Sequence, residues 1–391
     1  MEKLQNLFEV LKVSTKLGLT SFGGPIAHLG YFYNEYILKR KWMDEKNYLD
    51  LVALCQFLPG PASSQIGIGI GVTRAGLWGG IIAWFGFTMP SVIMMVLFAF
   101  LLKGFNFGAA SWMNGLKVMA VAIVAHAVIT MGQKLASDRT KATIAIISAS
   151  VLLIWQTAFT QVAVILISGI LGLFIYRKVN IPKNAIIQAP IHKCVAFTCL
   201  GLFFGLLVFL PILGEIIPLR SLAIVDSFYR SGSLVFGGGH VVLPLLERAV
   251  VPTGWVSAED FMAGYGATQA VPGPLFTFSA YLGTIAYGIP GAILATLAVF
   301  LPSFLLVVGV LPFWNTLRKY AKVQGALISI NASVVGILLA ALYHPLWTNA
   351  IHSSKDFVLG SVLFGMLYFW KLPPWLVVIA GALGGIVMNK I

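Results

Sequence analysis

Gln56-Phe57-Leu58-Pro59-Gly60-Pro61-Ala62-Ser63-Ser64-Gln65 is the stretch that decides the fold. Proline removes a backbone donor and clashes with the preceding turn, and glycine opens backbone angles closed to other residues. A helix running into Pro59-Gly60-Pro61 must therefore stop and restart. Around it lie long apolar runs: 79–102, 110–133, 141–176, 195–213, 291–314, 323–343 and 357–390. About 20 apolar residues cross a bilayer core as a helix. The chain is 59% hydrophobic and only 10% charged, too few charges to give each helix of a soluble bundle a polar face. The runs are continuous rather than alternating, so helices are expected and not a barrel. An all-α polytopic membrane protein follows.

The break recurs. Gln269 and Pro272-Gly273-Pro274 repeat Gln56 and Pro59-Gly60-Pro61 at one offset. Phe22-Gly23-Gly24 returns as Phe236-Gly237-Gly238, Trp42 as Trp255, and Met89-Pro90-Ser91 as Leu301-Pro302-Ser303. Gly169 and Gly172 match Gly381 and Gly384. Two related halves are expected, 1–178 and 219–391, joined by a polar connector and one linking transmembrane helix within 179–218. In the first half the reading gives two helical hairpins, 4–21 with 25–38 and 47–58 with 62–73. Four long helices follow, near 76–102, 110–134, 141–158 and 160–177. Hairpins return to their own side, so each half crosses an even number of times. One connector span then inverts the second half, as in many secondary transporters. Lys39, Arg40, Lys41, Lys46, Arg74, Lys134, Arg139 and Lys141 fall in loops of one side, while Glu215, Asp226, Glu247, Glu259 and Asp260 fall on the other, against Arg220, Arg230 and Arg248. The distribution predicts a cytoplasmic N-terminus and an outside C-terminus. No cleavable signal peptide is read in Met1–Thr20.

A helix that restarts after a break points its first N–H groups into the break with partial positive charge, an anion-binding device. Four breaks are present: Gly23-Gly24-Pro25, Pro59-Gly60-Pro61, Gly237-Gly238-Gly239 and Pro272-Gly273-Pro274. Beside them stand His28, Gln56, Ser63, Ser64 and Gln65 in the first half, and His240 and Gln269 in the second. These residues together are the expected substrate-binding set. The bland alternative is that Gly and Pro serve tight helix packing, with the hydroxyls satisfied by backbone. Four such motifs in repeat-related places favour the anion cradle.

Other residues read as follows. The net charge of +13 sits mostly at the ends of apolar runs, which fits membrane anchoring rather than nucleic acid. Cys55, Cys194 and Cys199 lack metal-ligand spacing and read as structural thiols, and no metal site is expected. Arg74 is either a cytoplasmic anchor or an anion guide, and the role of Lys117 stays open. Glu35 and Glu247, each about ten residues past a glycine motif, suit an ion pair or a coupling site. No His-Glu-x-x-His run, carboxylate pair, nucleophile elbow or phosphate-binding loop is present, so neither an enzyme nor a cofactor is expected.

Phe22 to Phe32, Asp50 to Gln65, Phe236 to Pro244, Gly264 to Pro274 and Asn331 to Gly336 together resemble the chromate ion transporter family, in its long, fused two-domain form. The resemblance spans nearly the whole chain. It implies efflux of chromate across a plasma membrane, chromate resistance, and binding of sulfate as a structural analogue. Tyr33 departs from it, standing where many relatives carry a basic residue. The expected partners are the chromate or sulfate oxyanion, the lipid bilayer and protons as a candidate coupling ion, with a homodimer as a candidate assembly and no nucleic acid. A carrier or channel for sulfate or another oxyanion is the alternative of the same class.

Overall fold

In a computed structural model, residues 2–22, 24–104, 111–155, 157–176, 191–236, 242–317 and 320–390 are described, and all regular structure among them is helical. The first half contains α1 (Glu2–Thr20), α2 (Gly24–Phe32), α3 (Glu45–Phe57), α4 (Ala62–Gly104), α5 (Ser111–Leu135), α6 (Arg139–Ile154) and α7 (Ala158–Ile175). The linking helix is α8 (Lys193–Ile216). The second half contains α9 (Arg220–Ser233), α10 (Val242–Val250), α11 (Ala258–Thr268), α12 (Phe278–Val310) and α13 (Trp314–Leu317). It ends with α14 (Ala321–Ala341), α15 (Thr348–Ala350), α16 (Ser354–Tyr368) and α17 (Pro374–Lys390). Short polar side chains start several of these helices. Asp44 accepts from the Asn47 amide, Asp138 from that of Lys141, and Ser353 with Asp356 forms a capping box.

Among the described residues five helical stretches are long and apolar enough to cross a membrane: Ala62–Leu102, Asn114–Leu135, Lys193–Ile216, Leu275–Phe313 and Lys322–Ala350. Thr160–Ile175 and Pro374–Met388 are shorter apolar helices. The protein is an all-α polytopic membrane protein. Two features were not expected from periodicity: Tyr33–Lys39 continues α2 as a π-helix, and Leu342–Trp347 does the same after α14.

The long helices fold back on themselves. In α4 the path reverses at Ala75 (φ −141°, ψ 20°) and Gly76 (φ 71°, ψ −163°). In α12 it reverses the same way at Tyr287 (φ −147°, ψ 25°) and Gly288 (φ 65°, ψ −154°). Positive φ is the reason glycine stands at both turns. The limbs then meet backbone to backbone. A Cβ on Gly71 would lie 2.3 Å from the Gly79 oxygen, and one on Gly283 would lie 2.2 Å from the Gly291 oxygen. α1 lies against the far limb of α4, with Gly18 over the Phe87 carbonyl, and α9 lies against α12 with Gly232 over that of Val299. The same reversal and the same close contact thus occur in both halves.

The two copies are entwined rather than side by side. α5 packs on α16 and α17, α14 packs on α6 and α7, and α4 packs on α12. Small residues make these crossings close: Gly115 meets Gly381, Gly172 meets Gly325, and Gly336 meets the Ala145 carbonyl. In lipid, where exposed leucine costs nothing, such close backbone approach is what holds helices together. α8 packs against α9 and α12, while Phe197, Phe204 and Phe209 stay exposed on its outer face.

Gly336 tests this packing. A Cβ there would sit 2.1 Å from the Ala145 oxygen, whereas a Cβ on Gly67 would meet nothing within 4 Å. Gly336→Ala is expected to destabilise by about 1–3 kcal/mol, and Gly67→Ala to be neutral. Thermal melts of the detergent-purified protein read the difference, and equal melting temperatures would contradict the crossing.

Candidate functional site

The two Pro-Gly-Pro breaks are each completed by the other half. The Gly60 amide donates to the Val235 carbonyl at 2.6 Å, and the Gly273 amide donates to the Ser21 carbonyl at 2.8 Å. Ser21 and Val235 each precede their half's first glycine motif, so the two bonds are one exchange made in both directions. Gly60 (φ 120°) and Gly273 (φ 98°) hold backbone angles that other residues rarely adopt, which turns these amides outward. The second limbs of α4 and α12 reach across as well. Ser91 Oγ donates to the Pro272 carbonyl at 2.5 Å, and a Cβ on Gly60 would lie 2.3 Å from Ser303 Oγ. The Pro-Ser pairs that match in sequence are therefore the lids over the opposite breaks. Sequence reading had noted their match without giving them a role.

Polar atoms gather at these junctions. Ser63, Ser64 and Gln65 form the first turn of α4 and are at most 2% exposed. Gln65 Nε2 donates to the Pro59 carbonyl at 2.7 Å, closing the break from within, and leaves its Oε1 without a partner among the described residues. Ser64 Oγ, Ser21 Oγ, Thr88 Oγ1, Gln269 Nε2 and Ser303 Oγ are likewise buried and without a partner among the described residues. Unpaired buried polar atoms are costly, which makes the junctions the candidate site. The N–H groups of the first turn of α4 add donors with no partner inside that helix.

The remaining expected residues fall as follows. Pro59, Gly60, Pro61, Pro272, Gly273 and Pro274 sit in the junctions just described. Gly24 (φ 75°) opens α2, with Pro25 following. His28 is fully buried beside Phe87, with ring centroids 5.5 Å apart. Its Nε2 lies 3.1 Å from the Ser21 carbonyl. A carbonyl only accepts, so Nε2 carries the proton, and Nδ1 is left as a lone pair with no partner among the described residues. Gln56 is exposed on α3, whereas its sequence match Gln269 is buried. Gly23, Gly237, Gly238, Gly239 and His240 lie outside the described residues.

Near the end of the first hairpin the charges are matched. The buried Glu35 carboxylate meets Lys16 Nζ at 3.0 Å, Arg40 Nε at 3.2 Å and Lys39 Nζ at 3.6 Å. Burial pushes its carboxyl up, but the bonds from Lys16 and Arg40 outweigh this and hold it below the usual carboxylate value. Arg74 pairs with Glu9 at 3.3 Å and lies 5.5 Å above the Trp42 ring, which gives it a structural tie between α4 and α1. Lys117 lies 3.9 Å from Glu259 in the other half.

Broken helices that close on each other across two related halves of a membrane bundle define a transporter. The family model described as chromate transporter matches residues 8–173 and again 222–386, and the chain belongs to that family. The probable chromate transport protein of Synechococcus elongatus is 26% identical, over 98% of this chain and 95% of its own. The chromate transport protein of Pseudomonas aeruginosa is 27% identical, over 95% and 89%. The uncharacterized transporter YwrA of Bacillus subtilis is 27% identical over 43% of this chain, a match that takes in 97% of its own length. No solved structure matches the chain significantly.

A double-mutant cycle tests the interlock. Gly60→Ala should destabilise the protein, both by its backbone angle and by driving a methyl into Ser303 Oγ. Adding Ser303→Ala removes the nearer atom and should restore about 1 kcal/mol, a coupling of the size expected for residues in contact. Strict additivity in thermal or denaturant melts would mean that the two residues do not touch.

Proposed function

We propose that the protein is a secondary transporter that exports chromate across the plasma membrane, binds sulfate as its analogue, and so confers chromate resistance. The observation that carries this reading is the reciprocal exchange at Gly60 and Gly273, with unpartnered buried polar groups gathered around both junctions. A tetrahedral dianion needs donors from several directions, and the start of α4, Ser64 and Gln269 Nε2 are donors of this kind. His28 becomes a second donor if Nδ1 takes up a proton. The family and the names of the Pseudomonas and Synechococcus relatives support chromate as the cargo.

In this reading 1–178 and 219–391 are the two repeats, 179–218 joins them, and the second repeat is inverted. The N-terminus is cytoplasmic and the C-terminus outside. The junction residues are almost completely buried, so substrate reaches them only when the halves part, first on one side and then on the other. An inside-negative potential favours exit of anions by about 2.3 kcal/mol per charge per 100 mV, and twice that for a dianion. Export of a dianion needs no nucleotide on these terms.

Inverted vesicles test the proposal. Labelled chromate should accumulate, with unlabelled sulfate competing, and a collapsed potential should slow it. Failure to accumulate either anion would sink the reading, and a flux that does not saturate would make the protein a channel. Ser64→Ala should raise the apparent KM about tenfold, the effect of losing one charge-assisted bond of about 1.4 kcal/mol. Gly60→Leu and Gly273→Leu should abolish transport while the protein still inserts. Normal transport in both would remove the junctions from the mechanism.

A further inference from the structure

Away from the junctions, a cavity of about 150 Å³ lies between the halves, and Gln161, Pro244, Glu247, Arg248, Pro252 and His344 stand in its wall. Gln161 comes from α7 of the first half, and Glu247 and Arg248 come from α10 of the second. His344 comes from the π-helical continuation of α14. Its own backbone is extended (φ −128°, ψ 121°), as expected of a residue preceding proline. Movement of one half against the other must therefore reshape this cavity.

Glu247 is the carboxylate in that wall, and among the described residues no hydrogen bond or ion pair holds it. Its neighbour Arg248 does not pair with it, because Arg248 Nη1 donates to the Thr157 carbonyl at 2.7 Å, at the start of α7. One turn further along α7, Gln161 is 0% exposed, and neither its Nε2 nor its Oε1 has a partner among the described residues. An amide is the side chain that serves a carboxyl in both its states. Its N–H₂ donates to the carboxylate, and its oxygen accepts from the protonated acid. The acidic residue at the comparable place in the first half, Glu35, is held by three cations. Burial moves the Glu247 carboxyl above its usual value, with Arg248 opposing. α9, α11 and α14 pack against α10, and of their charged groups Lys322 stands in the first turn of α14 and Arg220 lies over the Tyr287 ring. Asp226 pairs with Arg230, Glu259 with Lys117, and Asp260 accepts from Ser257. Arg248 and His344 are thus the ionisable groups that share the cavity with Glu247.

We propose that Glu247 is the site at which this transporter binds its driving proton, with the Gln161 amide as the partner of both protonation states. The proton adds to a carboxylate oxygen when the cavity opens to one side and leaves when it opens to the other. No other bond forms or breaks. The inference rests on the reading of the protein as an oxyanion transporter and assigns its coupling to a residue outside the anion junctions.

The purified protein in liposomes, with the membrane potential clamped at zero, provides the test. One coupled proton carries about 1.4 kcal/mol per pH unit, so a gradient of one unit should sustain about tenfold accumulation of labelled sulfate or chromate. Counterflow of the same anions at equal pH needs no coupling. The wild type should show both. Glu247→Gln should keep counterflow and lose accumulation, with the ratio falling to about one, and Glu247→Asp should restore accumulation with a shifted pH profile. Tenfold accumulation by Glu247→Gln would overturn the assignment, as would a wild type that counterflows but ignores the gradient. Loss of counterflow in Glu247→Gln would also overturn it, making the residue structural or substrate-binding. A wild type without counterflow of either anion would instead remove the transport reading itself.

Discussion

A backbone amide left unpaired in an apolar interior costs several kcal/mol, and this protein interrupts its helices inside such an interior. The bonds from Gly60 to Val235 and from Gly273 to Ser21 meet that cost by exchange between the halves. Much else depends on them. Ser91 and Ser303 can lie over the opposite breaks only because α4 and α12 reverse at Gly76 and Gly288 and send their second limbs across. The glycine crossings of α5 with α17 and of α14 with α7 draw the halves close enough for the exchange to reach. Any movement that parts the halves at these junctions must break or reshape these bonds.

The breaks were legible in the sequence because the chemistry of Pro and Gly is local: Pro59-Gly60-Pro61 stops a helix whatever surrounds it. The apolar runs were legible for the same reason, as length and composition suffice. The partners of the freed amides were not legible. Val235 and Ser21 offer main-chain carbonyls, which any residue type would supply, so no letter of the sequence marks them. The π-helical continuations after α2 and α14 were missed because they change the hydrogen-bond register without changing the apolar pattern. Ser91 and Ser303 left a signal in their repeated Pro-Ser pairs, but a repeat alone does not say what a residue touches.

Matched positions in the halves do not always share an environment. Gln56 is exposed and Gln269 is buried, although both precede a Pro-Gly-Pro break by the same distance. Glu35 sits among Lys16, Lys39 and Arg40, while Glu247 lines a cavity whose wall also holds Gln161. The difference arises from the α1 and α9 sides: Lys16 reaches Glu35 from α1, whereas in α9 the cation Arg230 is taken by Asp226 of its own helix. Lys39 and Arg40 add to it from Glu35's own segment, where Val251 and Pro252 stand the same distance past Glu247.

Because the Gly60 and Gly273 amides are each taken by a carbonyl of the other half, neither half pairs its own freed amide. In two identical half-length chains every substitution would appear on both sides of the junction at once. Joined through α8, the copies are delivered in a fixed one-to-one ratio and can be altered one at a time. Fusion in this sense is a licence for asymmetry: one half holds its acidic residue among three cations while the other sets its own in the wall of a cavity.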